Sequence, residues 1–214
     1  GFNQGNGGTI SSSSAKENLG DGFQIANGGL LSDSTAHGNT LRGINANESC
    51  TITACATRVN GGDGILANSG SVVADCTSHS NGGHGITVST GCVVSACSVR
   101  VNMLDGISCF SSCIVFGNTA VSNGNGGDGA GIHAVGADCR IEGNNCVAND
   151  RGIEVDAGGN IIVKNSCSGN GVNWDIVVGN AYGPIVATPS GAAVLGNTAS
   201  AALGSTDPNA NFTY

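Results

Sequence analysis

Short blocks of alternating apolar and polar residues recur along this chain at a fixed spacing. Each recurrence is marked by a Gly followed by Ile or Phe, and successive markers lie 21 residues apart except for one step of 25. The markers are Gly22, Gly43, Gly64, Gly85, Gly106, Gly131 and Gly152. Apolar side chains at every second position indicate strands with one buried face. A fixed period in the low twenties predicts a solenoid in which each repeat forms one coil.

Alignment of the coils places residues of one type in three inward columns. The first contains Phe23, Ile44, Ile65, Ile86, Ile107, Ile132 and Ile153. The second contains Ile52, Val73, Val94, Val115, Ile141 and Ile162. The third contains Cys55, Cys76 and Cys97, followed by Asn118, Asn144 and Asn165. Three short strands per coil, with no helical period, predict an all-β, three-sided parallel β-helix of about 21 residues per coil.

A further column consists of asparagines alone. Its members are Asn39, Asn60, Asn81, Asn102, Asn123, Asn149 and Asn170. Asn tolerates the left-handed backbone region and bonds nearby backbone groups, so we expect it at a sharp corner. Amides stacked one coil apart, at roughly 4.8 Å, can also bond one another. The sequence therefore predicts an asparagine ladder, and the recurring NGG stretch is a corner rather than a phosphate loop.

The G-I-x-V strands, the asparagine column and the coil length resemble the right-handed parallel β-helix repeat family of the pectin-lyase-like superfamily. The resemblance covers residues 19–186 and implies a single-stranded, right-handed β-helix. The closing segment, STDPNANF at residues 205–212, is similar to the C-terminal end of secreted bacterial members, which implies an extracellular or cell-surface location. The superfamily includes lyases, hydrolases, epimerases, tailspikes and adhesins, so the resemblance does not fix an activity.

Three segments are expected along the chain. Residues 1–18 are predicted to form an irregular N-terminal cap, residues 19–186 the β-helix, and residues 187–214 a tail that packs on or caps the helix. The opening GFNQGNGG lacks the basic and apolar regions of a signal peptide, so we expect a processed or trimmed chain. No stretch of about 18 apolar residues occurs, so no membrane span is expected.

The charge content is low and acidic. Charged residues make up 10% of the 214 residues, only seven are Lys or Arg, and the net charge is -8. Neutralising phosphates requires clustered Lys and Arg, so the composition disfavours nucleic acid as a partner.

Ten cysteines all fall in inward columns. We interpret them chiefly as buried thiols that pack as small apolar groups. Disulfides remain the alternative, with Cys50–Cys55 and Cys92–Cys97 as the pairs that could face each other across one coil.

The most coherent polar column points outward from the third strand. It contains His37, Arg58, His79 and Arg100. These side chains would form a basic stripe roughly 15 Å long, in which both arginines could bind carboxylates or sulfates bidentately. The stripe predicts an anionic polysaccharide as partner. The alternative is four exposed side chains on a solvated face.

Two other groups are weaker candidates for chemistry. His133 and Glu154 lie on the first strand, where the resemblance to the superfamily implies a substrate cleft, so they are the catalytic candidates. Asp63, Asp105 and Asp128 are the candidate ligands for Ca²⁺. Their spacing is sparse, however, and the alternative is that they are solvated corner charges. No cofactor is therefore expected, with Ca²⁺ as the exception to test.

One outward column is apolar and predicts an interface. It runs through Leu30, Thr51, Val72, Val93, Ile114, Arg140 and Ile161, with Phe116 on the same face. Val72, Val93, Ile114 and Phe116 are the predicted interface. An exposed apolar strip of this length is usually covered, either by the tail or by a partner subunit. Solenoid ends also expose unpaired backbone, so we expect end-to-end self-association.

Regular coils without a clear catalytic set favour an extracellular, non-enzymatic module with a structural, adhesive or glycan-contacting role. The alternative is a polysaccharide lyase or related carbohydrate-active enzyme that acts on an anionic glycan.

Overall fold

The computed structural model describes residues 1–125, 127–187 and 206–214, and these residues form 28 strands and no helix. The first three coils contain β1 (Phe2–Gln4), β2 (Thr9–Ser11), β3 (Ser14–Lys16), β4 (Phe23–Ile25), β5 (Leu30–Ser32), β6 (Thr35–His37), β7 (Ile44–Ala46), β8 (Thr51–Thr53) and β9 (Ala56–Arg58). The next three contain β10 (Ile65–Ala67), β11 (Val72–Ala74), β12 (Thr77–His79), β13 (Ile86–Val88), β14 (Val93–Ser95), β15 (Ser98–Arg100), β16 (Ile107–Cys109), β17 (Ile114–Phe116) and β18 (Thr119–Val121). The remainder are β19 (Ala130–Ala134), β20 (Arg140–Glu142), β21 (Asn145–Val147), β22 (Arg151–Val155), β23 (Ile161–Val163), β24 (Ser166–Ser168), β25 (Val172–Ile176), β26 (Ala181–Tyr182), β27 (Ile185–Ala187) and β28 (Asn211–Thr213).

Strands from successive coils stack into three parallel sheets. The first sheet runs from β1 to β25 and the second from β2 to β26, with nine strands each, and the third runs from β3 to β27 with ten. The register advances by one repeat per coil, so that Ile65 pairs with Ile86. This arrangement confirms the predicted all-β, three-sided parallel β-helix with about 21 residues per coil.

The core lies inside the three sheets and is built from the predicted inward columns. Ile44, Ile65, Ile86 and Ile107 on the first sheet have 0% exposure. Each fully buried side chain of this size contributes about 1.5–3 kcal/mol of hydrophobic stabilisation. Because every coil repeats the same columns, the core continues along the whole axis.

The marker glycines are required by close approach between coils. A Cβ atom on Gly85 would lie 2.6 Å from the carbonyl oxygen of Gly106 in the next coil. Only Gly allows the backbone of one coil to rest so close to the next at the start of the first strand.

The asparagine ladder is confirmed. Nδ2 of Asn60 donates to Oδ1 of Asn81 at 2.9 Å, and Nδ2 of Asn81 donates to Oδ1 of Asn102 at 3.0 Å. The expectation that these asparagines occupy the left-handed backbone region was wrong. That conformation belongs to the preceding residue, as at Val59 with φ 56° and Val101 with φ 55°. The turn there aims the asparagine inward, where its amide bonds the neighbouring coils.

A second ladder runs along another corner. Asn118, Asn144, Asn165 and Asn211 bond successively through their amides. Asn211 belongs to β28, so this ladder ties the C-terminal segment to the coil before it.

All ten cysteines are buried free thiols. The thiol interpretation is therefore confirmed for this structure, and the alternative pairs Cys50–Cys55 and Cys92–Cys97 are not bonded. Several thiols face a carbonyl oxygen, as where Sγ of Cys55 lies 3.2 Å from the oxygen of Thr53.

The expected irregular cap at residues 1–18 is instead a regular coil with strands β1, β2 and β3. The reason lies in the sequence, because Gly1 and Phe2 repeat the Gly-aromatic marker 21 residues before Gly22. The ring of Phe2 stacks on that of Phe23 at 5.1 Å between centroids.

The described end of the tail lies on the third sheet. There β28 pairs with both β24 and β27, whereas residues 188–205 lie outside the described part of the chain. The apolar strip lies on the second sheet, and Val72, Ile114 and Phe116 are 36%, 42% and 45% exposed, while Val93 is half-buried. The described tail residues therefore leave the strip open. No helix among the described residues is long and apolar enough to cross a membrane.

Candidate functional site

A cleft of about 480 Å³ opens on the outer face of the first sheet. Its lining is rich in titratable groups: His84, Asp105, Asp128, His133, Glu154 and Asp156. Leu104, Phe110 and Val135 supply apolar walls. A concave site with several converging polar groups is the default candidate for ligand binding.

The long step in the repeat shapes this cleft. Its extra residues precede Ala130, which occupies the corner position held by Asp105 and Arg151 in neighbouring coils. A methyl side chain there leaves room above Asp105. The backbone amide of Ala130 donates to Oδ1 of Asp105 at 2.8 Å, which fixes the carboxylate with its other oxygen toward the cleft.

His133 lies between two carboxylates. Its Nδ1 is 3.1 Å from Oδ2 of Asp105, and its Nε2 is 3.0 Å from Oδ2 of Asp156. Oε2 of Glu154 lies 3.9 Å from the same Nδ1, because β19 and β22 place His133 and Glu154 side by side. Both predicted catalytic candidates are thus neighbours on the cleft floor.

The environment separates the pKa values of these groups. Burial lowers the pKa of His133, but hydrogen bonds to Asp105 and Asp156 outweigh it and raise the pKa to about 9. Burial alone would raise the pKa of Asp105, yet hydrogen bonds from His133 and His84 hold it well below its usual range. Burial raises the pKa of Glu154, against the opposing effects of His133 and Arg151. At neutral pH His133 is a cation beside ionised Asp105.

Arg151 borders the cleft and pairs with three acids. Its guanidinium bonds Asp128, lies 3.1 Å from Asp175 and lies 3.5 Å from Glu154. The bond to Asp128 is the main cause of the raised pKa of Arg151. Asp128 is therefore engaged with an arginine at the rim rather than facing Asp105.

The three predicted Ca²⁺ candidates do not converge. Asp63 accepts from the backbone amide of His84 at 2.9 Å and from the Thr87 hydroxyl at 3.3 Å. Asp105 is only 4% exposed, so the interpretation of the corner acids as solvated charges was wrong for it. Asp63 and Asp105 each accept a hydrogen bond from a backbone amide of the next coil.

The cationic stripe occupies the outer face of the third sheet. His37, Arg58, His79 and Arg100 lie in register on consecutive strands, and Lys16 precedes them in β3. Lys16 escaped the sequence analysis because residues 1–18 were expected to be irregular. A shallow groove of about 400 Å³ follows the stripe, lined by Arg58, Thr77, His79, Ser98 and Arg100.

Arg58 and Arg100 are exposed and make no ion pair with any residue that the structure describes. Burial lowers the pKa of His79, and the neighbouring Arg100 and Arg58 lower it further. Arg58 and Arg100 therefore have donors free for a ligand, whereas Nζ of Lys16 pairs with Oε1 of Glu17 at 3.2 Å.

Comparisons with known proteins agree with the architecture. A family model described as the right handed beta helix region matches residues 2–139. No curated protein matches the chain at a significant level. Among solved structures, the chain is similar to a double mutant of the periplasmic alginate epimerase AlgG, with TM-score 0.66 and 17% identity over 96% of this chain and 49% of that one.

Two further solved structures are similar. Pectate lyase Pel9A gives TM-score 0.62 and 19% identity over 75% of this chain and 50% of that one. The A-module of Azotobacter vinelandii mannuronan C-5 epimerase AlgE6 gives 0.57 and 17% over 82% and 64%. This chain thus spans about half to two thirds of the length of these proteins. At such identities the likeness establishes the fold and leaves the activity to be argued from the site.

Proposed function

This chain belongs to the right-handed β-helix family, and on that basis we propose that it is an extracellular, non-enzymatic protein that binds an anionic polysaccharide along its third sheet. The observation that carries the proposal is the cationic stripe, in which Lys16, His37, Arg58, His79 and Arg100 lie in register on consecutive coils.

The spacing of the stripe suits a linear polymer. Successive side chains of the stripe are one coil apart, so the five span roughly 19 Å along the axis. Arg58 and Arg100 offer flat, bidentate donors for carboxylates or sulfates, and Thr77 and Ser98 in the same groove offer hydroxyl groups for sugar oxygens. Three of the chain's seven Lys and Arg residues fall in this one line, which supports selection for binding rather than a merely solvated face.

The similar structures are consistent with a saccharide partner. Their names give pectate, mannuronan and alginate as the polymers on which those proteins act. A glycan-contacting role for this chain is consistent with these names, and the cationic stripe is the surface that would carry it.

A binding panel tests the proposal. Purified protein is titrated with uronate-containing polymers, sulfated polymers and neutral polymers of matched length at physiological ionic strength. Saturable binding restricted to the anionic polymers, and weakened by added salt, supports the stripe. Equal binding of neutral polymers, or no binding at all, contradicts it.

A second candidate is a polysaccharide lyase or related carbohydrate-active enzyme that acts in the cleft. It is favoured by the shifted pKa values of His133 and Glu154 on the cleft floor, since such groups concentrate at catalytic sites. The raised pKa of Glu154 is the direction expected of a group that donates a proton in catalysis.

The test follows ultraviolet absorbance of unsaturated sugar during incubation with anionic glycans, with and without added Ca²⁺. Product that depends on Glu154, judged by Glu154→Gln, supports the enzyme. A flat trace with every polymer contradicts lyase activity in the cleft.

End-to-end self-association is the remaining element of the proposal. The strands β1, β2 and β3 each have one neighbour in their sheet. Phe2, which lies in β1, is 42% exposed. Within the described structure, the buried amide of Gln4 in this coil has no hydrogen-bond partner. A further coil from another molecule would pair with these strands, cover Phe2 and offer a partner to the Gln4 amide.

A further inference from the structure

The cleft floor has the geometry of a metal site. Oδ2 of Asp105, Nδ1 of His133 and a carboxylate oxygen of Glu154 all lie within 4.8 Å of one another. From these positions we propose that the three side chains bind one divalent transition-metal ion of the Zn²⁺ type. The proposal concerns a separate face from the cationic stripe and stands or falls independently of glycan binding there.

The distances between the ligand atoms fit a small ion. Nδ1 of His133 is 3.1 Å from Asp105 and 3.9 Å from Glu154. A tetrahedral ion with metal–ligand distances of about 2.0 Å separates its ligand atoms by roughly 3.3 Å. Small side-chain rotations therefore suffice to bring all three atoms into the coordination sphere.

The ring of His133 is already oriented for coordination. Asp156 accepts from Nε2 at 3.0 Å, which directs Nδ1 toward Asp105 and Glu154. A carboxylate behind a ligating histidine is the usual supporting contact in zinc sites, where it fixes the tautomer and strengthens the ligand. Without a metal, a carboxylate faces each ring nitrogen, so a proton must occupy the position on Nδ1 that the ion would take.

The ligand set selects the kind of ion. An imidazole nitrogen with two carboxylates suits Zn²⁺ and its neighbours in the first transition row. Ca²⁺ takes six to eight oxygen ligands, and this floor offers two carboxylates and a nitrogen. The side chains of His133 and Glu154 are 18% and 14% exposed, so the ion would keep an open position toward the cleft.

The cleft's charge favours a dication. Asp105, Glu154 and Asp156 surround a single imidazole at the floor, and Arg151 beside Glu154 is shared with Asp128 and Asp175. Two positive charges would offset this surplus better than the one proton on His133 does.

Binding is measured on the chelator-treated full chain with Co²⁺ as a visible probe and with Zn²⁺ in competition. We expect one Co²⁺ per chain, with visible bands of a four- or five-coordinate ion that Zn²⁺ abolishes and a large excess of Ca²⁺ does not. His133→Ala and the isosteric Glu154→Gln should both weaken binding, and Asp156→Asn should weaken it about 10- to 100-fold.

The matched control is Glu48→Gln, which makes the same substitution as Glu154→Gln at an exposed position and should leave the affinity unchanged. Circular dichroism confirms that each variant is folded. Absence of binding overturns the site. So does binding that survives in both His133→Ala and Glu154→Gln, or a near-ultraviolet thiolate band showing that the cysteines hold the ion.

Discussion

Nδ1 of His133 lies 3.1 Å from Oδ2 of Asp105, although 28 residues separate the two positions in sequence. The contact exists because Ala130, with its methyl side chain, stands at the corner between them. It makes His133 a cation at neutral pH and places a histidine–carboxylate pair on the cleft floor.

The first prediction concerns this contact. The pKa of His133, raised to about 9, should be measurable by NMR titration of the imidazole in metal-free protein. In Asp105→Asn it should fall, because the main stabilising hydrogen bond to the charged ring is lost. A pKa near 6.5 in the unaltered protein would contradict the geometry.

The same shift predicts how stability depends on pH. The folded-state pKa exceeds the unfolded value of about 6.5, so His133 stabilises the fold fully below pH 6.5 and loses that contribution as the pH rises through about 9. The difference in unfolding free energy between the unaltered protein and His133→Gln should therefore shrink from pH 6 to pH 10. A difference that stays constant would show that the ring charge contributes nothing.

The asparagine ladder should be a main source of local stability. Asn81→Ala removes the acceptor for both the backbone amide and the side-chain amide of Asn60. Leaving a buried donor unsatisfied costs about 1–3 kcal/mol, so urea denaturation should show a loss of at least that size. Asn27→Ala, at an exposed position, is the control and should change the unfolding free energy little.

The cysteines should be inert in the folded protein. All ten are buried, so a thiol reagent should label few in the native state and all ten after denaturation. The melting temperature should likewise be unaffected by a reductant. Rapid labelling of native protein, or a melting temperature lowered by reduction, would contradict the buried-thiol arrangement.

Much of the fold could be predicted from the sequence, because each strand depends on local alternation and each coil on stacking identical residues. Phe23 and the Ile residues that follow the other markers could be assigned to the core from this repeat alone. The left-handed turn at Val59 could not be predicted, since a β-branched residue disfavours that conformation and accepts it only because Asn60 must point inward. Lys16 was missed with the first coil, whose marker Gly1–Phe2 opens the chain.

The site was harder to predict than the fold. Sequence spacing placed His133 and Glu154 side by side, but the 25-residue step hid the approach of Asp105. The role of Asp156 depends on side-chain torsions, which the repeat pattern does not encode. Charge alone made Asp63 and Asp128 candidate Ca²⁺ ligands. In the structure Asp63 accepts from a backbone amide, and Asp128 pairs with Arg151.

Self-association should depend on the exposed first coil. Sedimentation velocity over a wide concentration range should show end-to-end oligomers, and Phe2→Ser should reduce them because it removes apolar surface at that end. Leu41→Ser, at an exposed apolar position outside the predicted interface, is the matched control. Isolated monomers at every concentration would contradict this prediction.

The central claim is that the cationic stripe binds an anionic polysaccharide. It is tested most directly by the affinity of Arg58→Ala/Arg100→Ala for the tightest-binding polymer of the panel, compared with the charge-matched variant Arg140→Ala/Lys164→Ala. The control arginine and lysine already pair with Glu142, so removing them alters the same net charge elsewhere. We predict at least a tenfold loss of affinity in the stripe variant and little change in the control. Equal affinities in the two variants would contradict the claim.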